Sequence, residues 1–441
     1  MASPRDHEVM EAVKVFRTKF HVDPTAAAAS IGGWTSLLGS GNEDASSISF
    51  TLPFKIVIVG TLSTKETSEV IVVARCPLPD VGEVEKGEKG EKGEKGEKEE
   101  KGEKEEKGEK GEAFQWAAYV KELFHQNAVM KVNAVIVSGC PPDCGLSTSA
   151  ALRTVVMDFF QGLHSTHALA GRDSDENLGQ TSPYDSSIAR HSSLILVSAQ
   201  SAVSLPLVTQ LKMDRPVILV TNSSTAGREF DPASTACVEA WALLRVNNPT
   251  LLLREVSLDM LDQARGDLSE GAYHSAKHHI HEQRRVHAAA IALKGGDFKK
   301  AGKLLTESHN SLKETGISCK EVDILVRIAS RIDGVYGSRI VVDGCTRCSV
   351  TLVKRSAVGA LKKALEEDYL MLTRRNVTFY ECAPALVKSG LIDITAAILA
   401  ADSDKTFVSP LPTWVEYMGY LVPLSLAASA AAGALLLIRM Q

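Results

Sequence analysis

Short apolar runs rich in β-branched residues alternate along the chain with longer stretches whose apolar positions recur every three or four residues. The runs Phe54–Gly60, Glu69–Arg75, Asn133–Ser138, Ser193–Ala199, Pro216–Thr221 and Cys348–Lys354 predict strands. The stretch "SAALRTVVMDFFQGLH", Ser149–His164, predicts a helix, and His274–Leu312 predicts two helices broken at Gly295 and Gly296. A mixture of this kind implies an α+β protein built in two lobes.

Two segments leave that pattern. From Gly82 to Glu112 lysine and glutamate alternate, with glycine at many third positions. The segment has no proline, breaks its period at "KEE", and lacks the apolar surface that would offset ordering entropy. It is expected to be a disordered insertion rather than a collagen-like repeat. The second segment, Tyr417–Ile438, carries no charge and is bracketed by Glu416 and Arg439. Its roughly 22 residues would reach about 33 Å as a helix, enough to cross a bilayer core. Trp414, Tyr417 and Tyr420 cluster at one end, where aromatic rings favour the membrane interface. The expectation is a C-terminal transmembrane helix over 417–438, a tail anchor that leaves the globular part in the cytoplasm; the alternative is a buried, alanine-rich helix.

Composition narrows the function classes. The 441 residues are 44% hydrophobic and 23% charged, ample for two globular lobes. A net charge of −5 without any unmixed basic block excludes the electrostatic footprint of a nucleic-acid binder. Eight cysteines and no signal-like apolar opening fit a reducing compartment.

The candidate chemistry starts at "GCPPDCGLSTSAALRTVV", Gly139–Val156, where small and hydroxyl residues lead from a predicted strand into a predicted helix. Backbone amides at such a helix start can face a phosphate. Cys140 and Cys144 lie here, and Cys345 and Cys348 lie in "GSRIVVDGCTRCSVTLV". Four thiolates could hold zinc if the two stretches met, but packing is the alternative and the better reading.

From about Trp116 to Phe379 the chain resembles galactokinase, a member of the GHMP small-molecule kinases. The matching stretches, in family order, are "WAAYVKELF", "GLSTSAAL", "VTNSS", "REVSLDMLDQAR", "AKHHIHEQRRVHAAAIALKGGDFKKAGKLLTESHNSL", "ISCKEVD", "GVYGSR" and "CSVTLV". The opening "VFRTKFHVDPTAAAASIGG" is similar as well. The resemblance implies a two-lobed GHMP kinase fold, with an N-terminal lobe over 8–220 that carries the 82–112 insertion and a C-terminal lobe over 221–400. It also implies ATP-dependent phosphorylation of the anomeric hydroxyl of galactose, with ATP and Mg2+ as cofactors.

Three motifs carry that activity in the family. The second is kept from Gly145 to Leu152, so Gly145, Leu146, Ser147, Thr148, Ser149 and Ala150 are the implied ATP-binding residues and Ser149 the hydroxyl near magnesium. Asp143 and Cys144 stand where the family usually has glycines. The first motif, an arginine followed by Glu-His-x-Asp, is lost in "GGWTSLLGSGNED": Trp34 replaces the arginine, and Ser40, Gly41 and Glu43 replace the sugar-reading residues. A site without matched polar groups cannot discriminate sugar hydroxyls, and loss of the cation removes support for the transferring phosphoryl group. Asp185 in "SPYDSSIARH" falls where the catalytic aspartate belongs, with a helix-capping aspartate as an equal alternative. In the third motif Gly337, Ser338, Arg339 and Gly344 remain, while Val341, Val342, Asp343, Thr346 and Arg347 fill a loop that the family keeps nearly all glycine.

The sequence therefore predicts a galactokinase-like protein with sugar phosphorylation reduced or lost and nucleotide binding retained. An active galactokinase and a membrane-tethered interaction protein are the alternatives. Expected partners are a nucleotide, a monosaccharide and, through the tail, a membrane; nucleic acid is not among them.

Overall fold

The computed structural model describes residues 6–31, 33–39, 46–65, 68–74, 120, 123–124, 131–139, 148–166, 194–198, 201–205, 216–225, 235–246, 249, 251, 255–342, 347–382, 390–403 and 434–440. The expected insertion at 82–112 lies outside them. In chain order the first elements are α1 (His7–Phe20), β1 (Ala26–Ile31), β2 (Trp34–Leu38), β3 (Ser47–Thr51), β4 (Lys55–Leu62), β5 (Ser68–Ala74), β6 (Val132–Ser138) and α2 (Thr148–Thr166). There follow β7 (Ile195–Ser198), β8 (Ser201–Ser204), β9 (Pro216–Asn222), α3 (Thr235–Arg245), α4 (Leu258–Gln263), α5 (Glu270–Lys294), α6 (Phe298–Glu314) and α7 (Lys320–Ala329). The chain continues through β10 (Val335–Ile340), β11 (Cys348–Lys354), α8 (Val358–Thr373), β12 (Thr378–Cys382), β13 (Gly390–Leu391), α9 (Ile394–Ser403) and β14 (Ala434–Met440). All six predicted strands are present, as are the helix predicted over Ser149–His164 and the two predicted within His274–Leu312.

Three sheets organise these elements. A six-stranded sheet runs β13-β1-β4-β6-β5-β14, with β5 and β6 parallel and its other pairs antiparallel. Both its faces are covered, which explains the near-continuous apolar runs of its strands. Val9, Val13 and Phe16 of α1, with Ala397 and Ala401 of α9, pack on Ala27, Ala29, Val57 and Val135. Val155 and Phe159 of α2 pack on Ala26, Ala28, Ile56 and Ile136 from the opposite side. Alternate alanines of β1 thus face opposite cores, as a period of two requires.

A second sheet runs β10-β11-β9-β12, entirely antiparallel. One face meets α5 and α6 through Val286, Ala290, Leu293 and Leu305; the other meets α7 and α8 through Leu325, Ile328, Leu361 and Leu365. The third sheet, β2-β3-β7-β8, belongs to both cores. Trp34, Ile195 and Val197 join the core under α2, whereas Leu38, Ile48 and Phe50 join the core under α5 and α6. The predicted break in His274–Leu312 occurs at the expected glycines. Gly296 takes φ +75°, and Asp297 then caps α6 by accepting from the Lys300 amide at 2.9 Å.

The expected transmembrane helix is not formed. Ala434–Met440 is a strand, antiparallel to β5 in a register that runs from Ala434 opposite Ala74 to Met440 opposite Ser68. Backbone amides that pair across a sheet cannot also close the last turns of a helix, so Tyr417–Ile438 is not one continuous span. Residues 417–433 lie outside the described residues. Among the described residues no helix is long and apolar enough to cross a membrane. The tail anchor, the membrane as partner, and the anchored localisation inferred from it are therefore withdrawn. The segment reads as a helix because alanine and leucine favour that state in isolation; the open edge of β5 supplies the backbone partners that override the preference.

Candidate functional site

Strand β6 delivers the chain to Gly139, whose amide donates to the Lys55 carbonyl oxygen at 3.1 Å. Helix α2 begins at Thr148, one residue before the predicted start at Ser149. Ala151, Leu152, Val155, Val156, Phe159, Phe160 and Leu163 are buried along α2 and fix that start against the sheet. Its first turn carries no acidic residue, and the positive end of the helix dipole lies there. The backbones of Thr148, Ser149 and Ala150 form this turn. Gly145, Leu146, Ser147 and Asp185 lie outside the described residues.

The first-motif stretch is described from Gly33 to Gly39. Trp34 is 2% exposed and sits among Ile56, Ile136, Leu152, Val155 and Ile195, in an environment with no place for an unpaired cation. β2 then runs to Gly39, which adopts φ +84°. A Cβ there would stand 2.5 Å from the Ser46 carbonyl oxygen, so the chain leaving β2 and the chain entering β3 almost touch. Ser40, Gly41 and Glu43 fall between these two points and lie outside the described residues.

Neighbouring residues of α5 hold both sides of this neck. The Gly39 amide donates to Glu282 Oε1 at 3.0 Å, and the Ser46 amide donates to Gln283 Oε1 at 2.9 Å. Glu282 Oε1 also accepts from Ser308 Oγ at 2.8 Å and Arg339 Nη1 at 2.8 Å, while Oε2 accepts from Arg285 Nε at 2.7 Å. Arg339, fully buried, donates through Nε to the Ile340 carbonyl at 2.9 Å and through Nη2 to the Gly39 carbonyl at 3.4 Å. Burial by itself would push the Glu282 carboxyl up, but the positive charges led by Arg339 outweigh it and hold the group at about 2. Burial instead dominates at His278 and His309, lowering each to about 4. Sequence reasoning missed this cluster; a glutamate amid the apolar face of "AKHHIHEQRRVHAAA" and an arginine in a strand were the available signals.

The third-motif stretch is described on both sides of residues 343–346. Gly337 lets α6 press onto β10, since a Cβ there would stand 1.9 Å from the Gly302 carbonyl oxygen. Ser338 Oγ shares a 2.8 Å hydrogen bond with Thr351 Oγ1. Val341 and Val342 turn into buried core positions, and the Val341 amide donates to the Cys348 carbonyl at 2.9 Å. The Arg347 carbonyl accepts from both the amide and the hydroxyl of Ser223, at 3.0 and 2.7 Å. Residues 343–346, with Asp343, Gly344 and Thr346, lie outside the described residues. So do Cys140, Cys144 and Cys345, whereas Cys348 is buried in the core beneath α5 and α6. Among the described residues no group of three or more His, Cys, Asp or Glu side chains could hold a metal ion.

No family model matches the chain. Individual relatives do. Galactokinase of Homo sapiens is 32% identical over 279 residues, which cover 58% of this chain and 68% of that protein. Galactokinase of Bos taurus is 30% identical over 60% of this chain and 70% of its own length. That of Canis lupus familiaris is 27% identical over 83% of this chain and 93% of its own. Among solved structures, the galactokinase of Lactococcus lactis in complex with galactose superposes with a TM-score of 0.62 at 20% identity, over 86% of this chain and 98% of that one. The likeness of fold thus runs over nearly the whole of a sugar kinase, and the sequence likeness runs over two thirds or more of its mammalian relatives. On these grounds the chain belongs to the galactokinase family of GHMP small-molecule kinases.

Proposed function

We propose that this galactokinase-family protein binds ATP with Mg2+ but phosphorylates galactose poorly or not at all. The observation that carries the reading is Trp34, 2% exposed in an apolar core at the position where the family places the arginine beside the transferred phosphoryl group. A cation cannot be restored there by a small side-chain movement. Ser40, Gly41 and Glu43 in place of the sugar-reading triad point the same way.

The start of α2 supports the nucleotide half of the proposal. Gly145, Leu146, Ser147, Thr148, Ser149 and Ala150 would cradle the phosphates with backbone amides, with Ser149 as the hydroxyl near magnesium. When bound, Mg·ATP supplies the phosphoryl group and the cation that shields its charge. Asp185 is the candidate for holding the proton of an accepting hydroxyl. Val341 and Val342, buried where glycines would let backbone approach a ligand, weaken the phosphate side and make the expected affinity modest.

Titration calorimetry of the full chain with millimolar Mg·ATP tests the nucleotide half. Heat that disappears when Ser147 and Ser149 are replaced by bulky residues supports the proposal. Absence of heat in the unsubstituted protein overturns it and leaves the loop a structural relic.

A further inference from the structure

We infer that Glu282 is a positioning residue that locks the neck between β2 and β3 to strand β10, so that the first- and third-motif segments of the site move as one unit. The inference rests on the proposed ligand site only for its functional meaning; the mechanical coupling stands on geometry alone. One carboxylate oxygen, Glu282 Oε1, accepts from the Gly39 amide at 3.0 Å and from Arg339 Nη1 at 2.8 Å. Arg339 closes the circuit through its contact with the Gly39 carbonyl at 3.4 Å. The Ser46 side of the neck is held by the next residue along the helix, Gln283, which both accepts from the Ser46 amide at 2.9 Å and donates to its carbonyl at 3.5 Å.

These partners come from four distant parts of the chain. Gly39 follows β2, Glu282 and Gln283 lie in the middle of α5, Ser308 lies on α6, and Arg339 is the penultimate residue of β10. Arg339 and Glu282 are 0% and 4% exposed, so their attraction is poorly screened and neither group has water as a substitute partner. A carboxylate used only to neutralise an arginine need not also accept from the backbone of another sheet. Here the same oxygen does both, so a shift of β10 must be transmitted to Gly39 or break a charged hydrogen bond. Glu282 is not expected to touch a ligand.

The test is amide hydrogen exchange, followed by mass spectrometry, on the full chain and on Glu282→Met, Glu282→Gln and Gln283→Ala. The expected result for Glu282→Met is a rise of about tenfold or more in exchange in peptides covering both Gly39–Ser49 and Ser338–Val342, with strands β9 and β1 unchanged. Glu282→Gln keeps an acceptor for the Gly39 amide and should show a clearly smaller rise in both; if the methionine variant does not fold, the glutamine variant carries the test. Gln283→Ala should loosen the Ser46 side alone. A rise confined to one of the two segments in the Glu282 variants, or a uniform rise across the second sheet, would overturn the inference. Mg·ATP calorimetry on the same proteins separates the two proposals. If the parent binds and Glu282→Met binds at least about fivefold more weakly, the coupling reaches the site. If the parent does not bind, the proposed function fails while hydrogen exchange still decides the coupling.

Discussion

The carboxylate of Glu282 and the guanidinium of Arg339 meet at 2.8 Å inside the protein, joining the centre of a long helix to the strand that enters the third motif. The pair is compensated rather than merely buried, because Ser308, Arg285 and the Gly39 amide satisfy the remaining acceptor capacity of the carboxylate. Two histidines flank it: His278 shares a 2.9 Å hydrogen bond with Ser311, and His309 accepts from the Ile340 amide at 3.4 Å.

That arrangement makes stability fall with pH in two stages. The folded protein holds His278 and His309 at about 4, below their ordinary 6.5, so the unfolded chain gains protons first as pH falls between those values. Glu282, held at about 2 against an ordinary 4.5, stabilises the fold above the higher value and loses that contribution as pH drops through the lower one. The melting temperature should therefore decline steadily between about pH 7 and pH 4, and His309→Gln should make the decline shallower. A flat profile over that range would show that the histidines titrate alike in both states.

Trp34→Arg restores the residue type of the family without restoring its setting. The substitution places a cation among apolar side chains and should cost about 3 kcal/mol or more in urea unfolding. No gain in galactose phosphorylation is expected. A stable variant with measurable turnover would mean that the side chain can reach the nucleotide site and that burial of Trp34 is incidental.

Removal of 434–440 should uncover the edge of β5. The exposed row of backbone donors and acceptors invites pairing with another chain, so the truncated protein should unfold at lower urea concentration and self-associate in light scattering. A truncated protein whose association state and stability match those of the full chain would show that β14 contributes nothing to the sheet.

Much of the fold is legible in the residues. The runs that became β4, β5, β6, β9 and β11 are dense in valine and isoleucine because two covered faces demand it, and Gly295–Gly296 announce the break between α5 and α6. β1 is not legible: Ala26–Ala29 have helical propensity, and only close packing of α1 and α2 on opposite faces explains small residues in a strand. β14 fails for the related reason that leucine and alanine do not show which partner awaits them. At the proposed site, the departure proposed at Trp34 is a change of chemistry at one position, which the residues alone can display. The Glu282 cluster is not legible in that way, because its partners Gly39 and Arg339 are 243 and 57 residues away and only the packed sheets bring them together.

Turnover of galactose by the purified full chain at saturating Mg·ATP tests the central claim most directly. The account predicts a rate at least about a hundredfold below ordinary kinase turnover, because the charged contact replaced by Trp34 and the sugar-reading residues are absent together. Phosphorylated galactose formed at about 1 to 100 per second would contradict it and establish an active galactokinase that has found other residues for the work.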